Sequence, residues 1–298
     1  MIYTAAMSLN PKLNPLLPLM FLGLLAACGE SSDGSDTVGV DDAVSNPVGA
    51  PDTAPVAEER PARDVFSERL AYGEVDSELV YGHFAIPADM VEPLPAVVMI
   101  HERWGLNATV REQADRLAGQ GYIVLAVDLF DGRTSSDQVG SNRLMQDVME
   151  SPDNTLQNIE QALGFVRNVA GAPAVAVLGA DLGGEWALRS ASLLPDFVDA
   201  AVTVYGQVTT DAELLAALQA PLLGLYGATD RSVRVDSVRE FEAALLELQK
   251  EHEIHVYPDS GRYFSNPQVE NRYDPVASAD AWSRIHEFLA RNLDTTAR

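Results

Sequence analysis

One cysteine among 298 residues leaves no partner for an intramolecular disulfide and no set of thiolates for a zinc site. Basic residues are scarce too: 20 Lys+Arg stand against 44 Asp+Glu, a formal net charge of −24. A surface of that sign repels the phosphates of DNA and RNA and the headgroups of anionic lipids, so no nucleic-acid partner is expected. The Gly183-Gly184 pair lacks the lysine of a phosphate loop, and neither a cofactor nor a metal is expected. What is present is ordinary for a globular protein: 47% hydrophobic and 21% charged residues, enough for one large α/β domain with tails.

The lone Cys28 is informative by position. It follows the apolar run Leu16 to Ala27, which lies behind Lys12 and ends in small residues, the layout of a secretory signal. The run falls short of the ~20 residues a spanning helix needs. Leu25-Ala26-Ala27-Cys28 resembles the lipobox of bacterial lipoproteins, which implies removal of residues 1–27, lipidation of Cys28, export, and a membrane contact through the lipid in the cell envelope. From Cys28 to about Ala62 the chain lacks aromatics and any sustained period, so it cannot bury enough surface to offset its ordering entropy. Residues 28–62 read as a disordered tether with a reach on the order of 30 Å, and residues 63–298 as the folded domain.

Within that domain apolar runs alternate with helical patterns. Segments 70–75 and 79–86 read as paired strands. Further strands are expected at 96–100, 123–127, 174–178, 201–205, 222–226 and 254–257, and helices at 109–118, 139–149, 155–169, up to 193, 212–218, 237–248 and 276–292. Continuous β-branched runs separated by helices indicate a mainly parallel sheet covered on both faces, whose ligands sit at the carboxyl ends of its strands.

The third of these long apolar runs breaks into Gly179-Ala180-Asp181-Leu182-Gly183-Gly184 and then into a helix. Strand, tight glycine turn and helix make a nucleophile elbow, G-x-Nu-x-G. The nucleophile position holds Asp181, where a hydroxyl or thiol would attack a carbonyl after losing its proton to a histidine.

The segments His101 to Asn107, Asp128 to Arg133, the elbow, Val204-Tyr205-Gly206, Tyr226 to Asp230 and His255 to Pro267 together resemble the dienelactone hydrolase family of α/β-hydrolases. The resemblance covers nearly the whole domain and implies the α/β-hydrolase fold. Its elbow reads G-x-C-x-G-G, so Asp181 stands where that family has cysteine. Asp230 matches the acid, and Arg262 falls on the histidine of the Y-P-x-x-x-H-x-F pattern. Glu102 matches the glutamate facing the nucleophile, and the backbone N–H groups of Arg103 and Leu182 occupy the oxyanion-hole positions, which survive a side-chain change.

Arg262 stays protonated at any working pH and cannot be a base, which removes the proton shuttle of an acyl-transfer triad. His101, beside Glu102, is the best placed of five histidines to replace it, its alternative role being support of its loop. Arg103 and Arg133 could hold a substrate carboxylate. Asp181 facing Arg262 preserves one negative and one positive group where thiolate and imidazolium would stand, with Asp230 expected to brace the guanidinium. If that pair is buried, Arg262→Ala should cost about 3–5 kcal/mol. The domain is thus expected to be a degenerate hydrolase that binds a small ester or lactone or serves as a scaffold. The alternative is an active hydrolase of an ester, lactone or alkyl halide with Asp181 as nucleophile, as in haloalkane-dehalogenase-like enzymes. A purely structural envelope protein is a third reading.

Overall fold

The structure is a computed structural model and describes residues 62–294. The signal, Cys28 and all but the last residue of the tether lie outside the described residues. In chain order the elements are β1 (Val65–Val75), β2 (Glu78–Pro87), β3 (Ala96–Ile100), α1 (Ala108–Gly119), β4 (Ile123–Val127), α2 (Gln138–Glu150), α3 (Pro152–Asn168), β5 (Val175–Ala180), α4 (Leu182–Leu193), β6 (Ala200–Val204), α5 (Ala212–Ala217), β7 (Leu222–Gly227), α6 (Val235–Glu247), β8 (His252–Tyr257) and α7 (Pro275–Leu293).

All eight strands form one sheet in the order β1-β2-β4-β3-β5-β6-β7-β8. Pairing is antiparallel between β1 and β2 and between β2 and β4, and parallel from β4 through β8. The apolar runs explain the sheet's interior. Every residue of β3, β4 and β6 is buried, because successive side chains point to opposite faces and both faces are covered. Val98 and Ile100 pack into one layer with Ile159 and Leu163 of α3 and Trp186 of α4. Val97 and Met99 pack into the other with Ala114 and Leu117 of α1 and Ile285 and Phe288 of α7. Each such aliphatic side chain contributes roughly 1.5–3 kcal/mol on leaving water. β1 is an edge strand with polar positions exposed, and it starts at Val65, ahead of the expected Leu70. Among the described residues no helix is long and apolar enough to cross a membrane.

The helix starts show one departure that bears on function. Asp137, Asp211 and Asp274 cap α2, α5 and α7, each carboxylate accepting from two backbone N–H groups, the usual service of an N-cap aspartate. Asp181 occupies the N-cap of α4 and makes no such bond. Its carboxylate is engaged elsewhere.

Candidate functional site

The elbow is held by close packing of backbone on backbone. Asp181 has φ 55° and ψ −117°, a conformation that costs an L-residue of order 1–3 kcal/mol and persists only where its surroundings impose it. Here they do. A Cβ on Gly179 would fall on the Gly183 backbone, and one on Gly183 on the Ile100 carbonyl, so strand β5, the turn and the start of α4 fit only with glycine at both places. The Asp181 N–H donates to the Val204 carbonyl at 3.0 Å, which fixes the turn against β6.

Two arginines converge on the carboxylate. Arg103 Nε donates to Oδ2 at 2.6 Å and Nη2 to Oδ1 at 3.0 Å, a fork-to-fork pair, and the Arg103 backbone N–H points at the same Oδ2 from 3.3 Å. Arg262 Nη2 donates to Oδ1. Asp181 is 1% exposed, and the side chains of both arginines are 10% exposed. Burial by itself would raise the Asp181 carboxyl; the hydrogen bonds and charges of Arg103 and Arg262 outweigh it and hold the carboxyl below the usual carboxylate range. The expected pairing of Asp181 with Arg262 is therefore formed, and Arg103 joins it through its side chain as well as its backbone.

Asp230 does not brace Arg262 as expected. Its Oδ1 accepts from the N–H groups of Ser232 and Val233 at 2.7 and 3.1 Å, stabilising the turn after β7, a use that aspartate finds locally. Its Oδ2 and the Nε of Arg262 are both buried without a hydrogen-bond partner among the described residues. Arg133, the other candidate for a substrate carboxylate, pairs with Asp147 at 2.8 Å and donates to the Phe130 carbonyl at 2.9 Å.

No histidine takes over as base at Asp181. His101 is buried, with Nδ1 2.7 Å from the Glu102 carbonyl and Nε2 3.0 Å from the Leu129 N–H. A carbonyl can only accept and an N–H can only donate, so the ring is the neutral Nδ1–H tautomer with both nitrogens spent on backbone; burial lowers its pKa, consistent with that state. His101 thus supports its loop. His83 pairs with Asp115, His252 donates Nδ1–H to the Lys250 carbonyl at 2.8 Å, His255 lies 3.9 Å from Asp280, and His286 packs against Trp282.

Glu102 lies beside this cluster. Tyr205 Oη donates to its Oε1 at 2.6 Å and Asn266 Nδ2 to its Oε2 at 2.8 Å, and Ser265 Oγ sits 3.0 Å from the same tyrosine oxygen. Burial, and then the negative charge of Asp181, push the Glu102 carboxyl up to about 7. Between the ordinary value of 4.5 and about 7 the folded protein then binds more protons than the unfolded chain. This group's contribution is fully present below the lower value and is lost as pH rises through the upper one, a loss on the order of 3 kcal/mol. Denaturant melts across that window should show the decline in the parent and a shallower one in Glu102→Gln; parallel curves for the two proteins would refute it.

Tyr263 was not legible as a site residue. Its ring lies 6.0, 5.4 and 5.6 Å from the guanidinium carbons of Arg103, Arg262 and Arg272, it has φ 70°, and burial pushes its phenol up to about 12. Tyr205 and Asn266, the partners of Glu102, were likewise missed, although both lie in segments that carry the family resemblance. Trp186 is buried in the core and Trp104 packs on Tyr263 at 6.0 Å, as packing residues do. Among the described residues no group of three or more His, Cys, Asp or Glu could hold a metal ion.

Residues 80–293 match the family model described as the dienelactone hydrolase family. The chain is 29% identical over 208 residues to the protein usf of Aquifex pyrophilus, covering 67% of this chain and 89% of that one. It is 29% identical over 220 residues to a provisionally named carboxymethylenebutenolidase of Escherichia coli K12, covering 70% and 80%. Among solved structures, a dienelactone-hydrolase-like promiscuous phosphotriesterase from metagenomic libraries superposes with a TM-score of 0.70 at 21% identity, covering 76% of this chain and 98% of that one.

Proposed function

Since the chain belongs to the dienelactone hydrolase family, we propose that it is a member whose hydrolytic site has become an internal ion cluster, and that the domain binds a small ester or lactone without turning it over. The observation that carries this reading is the double pairing of Asp181 with Arg103 and Arg262. A carboxylate attacks carbon through a free lone pair, and here both oxygens accept from guanidinium groups, which stabilise the charge that attack would have to spend. The backbone N–H at the first oxyanion-hole position is turned on the same carboxylate, so a negative oxygen already occupies the place where one would develop in a transition state. With His101 committed to backbone and Arg262 permanently charged, an ester formed on Asp181 would have no base to activate water for its release. The lactone class is suggested by the carboxymethylenebutenolidase name of the relative.

The same proposal carries the domain on a lipid anchor at Cys28 in the cell envelope, held clear of the bilayer by residues 28–62. Incorporation of labelled palmitate that disappears in Cys28→Ser would support this part, and unchanged incorporation would remove it.

The full chain should show no hydrolysis of nitrophenyl esters, butenolides or haloalkanes above the buffer rate, while a bound lactone raises its melting temperature. Turnover in the parent that vanishes in Asp181→Ala would overturn the reading in favour of an aspartate-nucleophile hydrolase. Absence of both turnover and stabilisation would leave a purely structural role.

A further inference from the structure

A cleft of about 700 Å³ opens where the turns after β7 and β8 meet the start of α7. It lies at the carboxyl ends of the strands, where ligands of open α/β sheets bind, but two strands along the sheet from the elbow. Arg262 forms part of the wall between the two places: its Nη2 is spent on Asp181, while the residue also lines the cleft.

The balance of charge in this cleft differs from that of the chain as a whole. Asp274 has Oδ2 accepting from Ser260 Oγ at 2.7 Å and Oδ1 from the Val276 and Ala277 N–H groups at 3.1 Å. Asp230 has one oxygen bound and the other buried. That leaves Asp259 as the exposed lining carboxylate. Against it stand Arg231 and Arg272, both exposed and neither in an ion pair among the described residues. Arg272 is not adrift in solvent, since its guanidinium carbon lies 5.6 Å from the Tyr263 ring, on a ring that Arg262 also flanks. A guanidinium held on an aromatic face keeps its N–H edge free for a second partner and has lost part of its rotamer freedom beforehand. Arg262 Nε is a buried donor and Asp230 Oδ2 a buried acceptor, both without a hydrogen-bond partner among the described residues, so these two lining groups offset one another and the grip on an anion falls to Arg231 and Arg272.

We propose that this cleft is a binding site for a small oxyanion, a carboxylate or a phosphate, gripped by Arg231 and Arg272. Both ligand types offer paired oxygens to the planar fork of arginine, and the volume admits a molecule of several heavy atoms. In a protein of net charge −24, long-range repulsion opposes any anion, so the site acts through these two side chains at contact distance and weakens with added salt. Asp259 opposes the ligand from the rim. The site shares the Arg262 wall with the elbow but does not require the elbow to hold a ligand.

Calorimetric titration of the full chain at low ionic strength with succinate and, separately, with inorganic phosphate tests the proposal and separates the two oxyanion types. At least one of them should bind saturably. Arg231→Ala and Arg272→Ala should each weaken that binding about tenfold, corresponding to about 1.4 kcal/mol, and Asp259→Asn should strengthen it by a factor of a few. Arg239→Ala, an exposed arginine on α6 paired with Asp236, should change nothing. No saturable heat from either anion overturns the proposal, as does binding that is equal in the parent and the Arg231→Ala, Arg272→Ala double variant. Loss of anion binding alone, with lactone stabilisation retained in the double variant, separates this site from the elbow; anion heats absent from a parent that still responds to lactone sink the cleft and leave the reading of the elbow standing.

Discussion

Asp181→Ala should lower the stability of the domain by about 3–5 kcal/mol, the usual cost of removing one partner of a buried ion pair. The deletion leaves two guanidinium groups, each 10% exposed, without their shared counter-charge. Arg262→Ala should cost less, about 1–3 kcal/mol, because Arg103 keeps its two-point hold on the carboxylate at 2.6 and 3.0 Å and the unpartnered Nε of Arg262 leaves with the side chain. This order reverses the weight that the sequence put on Arg262. The vacated space in Asp181→Ala is the shape and charge of a small carboxylate, so formate should recover part of the lost stability in proportion to RT ln(1 + [L]/Kd), with little effect on the parent. Denaturant melts of the three proteins with and without formate check the prediction. A change of a few tenths of a kcal/mol in Asp181→Ala would mean that the cluster is solvated and stabilises nothing.

The double replacement Asp181→Cys, Arg262→His should create ester or lactone hydrolysis where the parent has none, with a gain on the order of 10²–10⁴-fold over background from restored proton transfer. Three features of the structure favour this outcome. The elbow's backbone is retained, with position 181 at φ 55° between glycines that admit nothing larger. Asp230 Oδ2 is a buried acceptor awaiting a donor, and the imidazole N–H of a histidine at 262 is of the kind it lacks. Arg103 would stand beside the new thiol and favour its thiolate, while its backbone N–H, released from the aspartate, would return to the oxyanion position. Either single replacement should remain inactive, since Cys with Arg262 has no base and His with Asp181 has no free nucleophile. Initial rates with a nitrophenyl ester and a butenolide measure this. An inactive, folded double variant would mean that the site has lost more than two side chains, and an active parent would mean that it has lost nothing.

The predictions separate what local sequence could reveal from what it could not. The sheet was readable because burial on both faces demands unbroken apolar strands, as in Ala96–Ile100 and Ile123–Val127, and because period and length distinguish these from the helices between them. Boundaries erred where that demand relaxes: β1 begins at Val65 rather than near 70, since an edge strand exposes half of its residues. The elbow was readable because a strained turn between a strand and a helix can be made only by glycines at fixed offsets. Asp181 and Arg262 could be placed opposite one another because they fall on the cysteine and histidine positions of the two family motifs, where the chain must return to the same end of the sheet.

Side-chain partnerships across that end were not readable in the same way. Asp230 has two possible uses, a turn of its own backbone or a guanidinium across the site, and only the three-dimensional path of the turn after β7 selects the first. His101 next to Glu102 has the composition of a base, and only the positions of the Glu102 carbonyl and the Leu129 N–H show that neither nitrogen is available. Arg103 was readable as an oxyanion-hole backbone and as a candidate for a substrate carboxylate; its guanidinium reaches instead from the loop after β3 to the end of β5 and doubles the positive charge facing Asp181. The sequence by itself determined the fold, the elbow and the loss of a base at position 262, because those follow from apolar pattern, glycine sterics and the fixed charge of arginine. Only the tertiary structure decided which charge pairs with which, because hydrogen bonds between distant side chains depend on distances of a few ångström set by the packing of the whole sheet, and no local pattern encodes them.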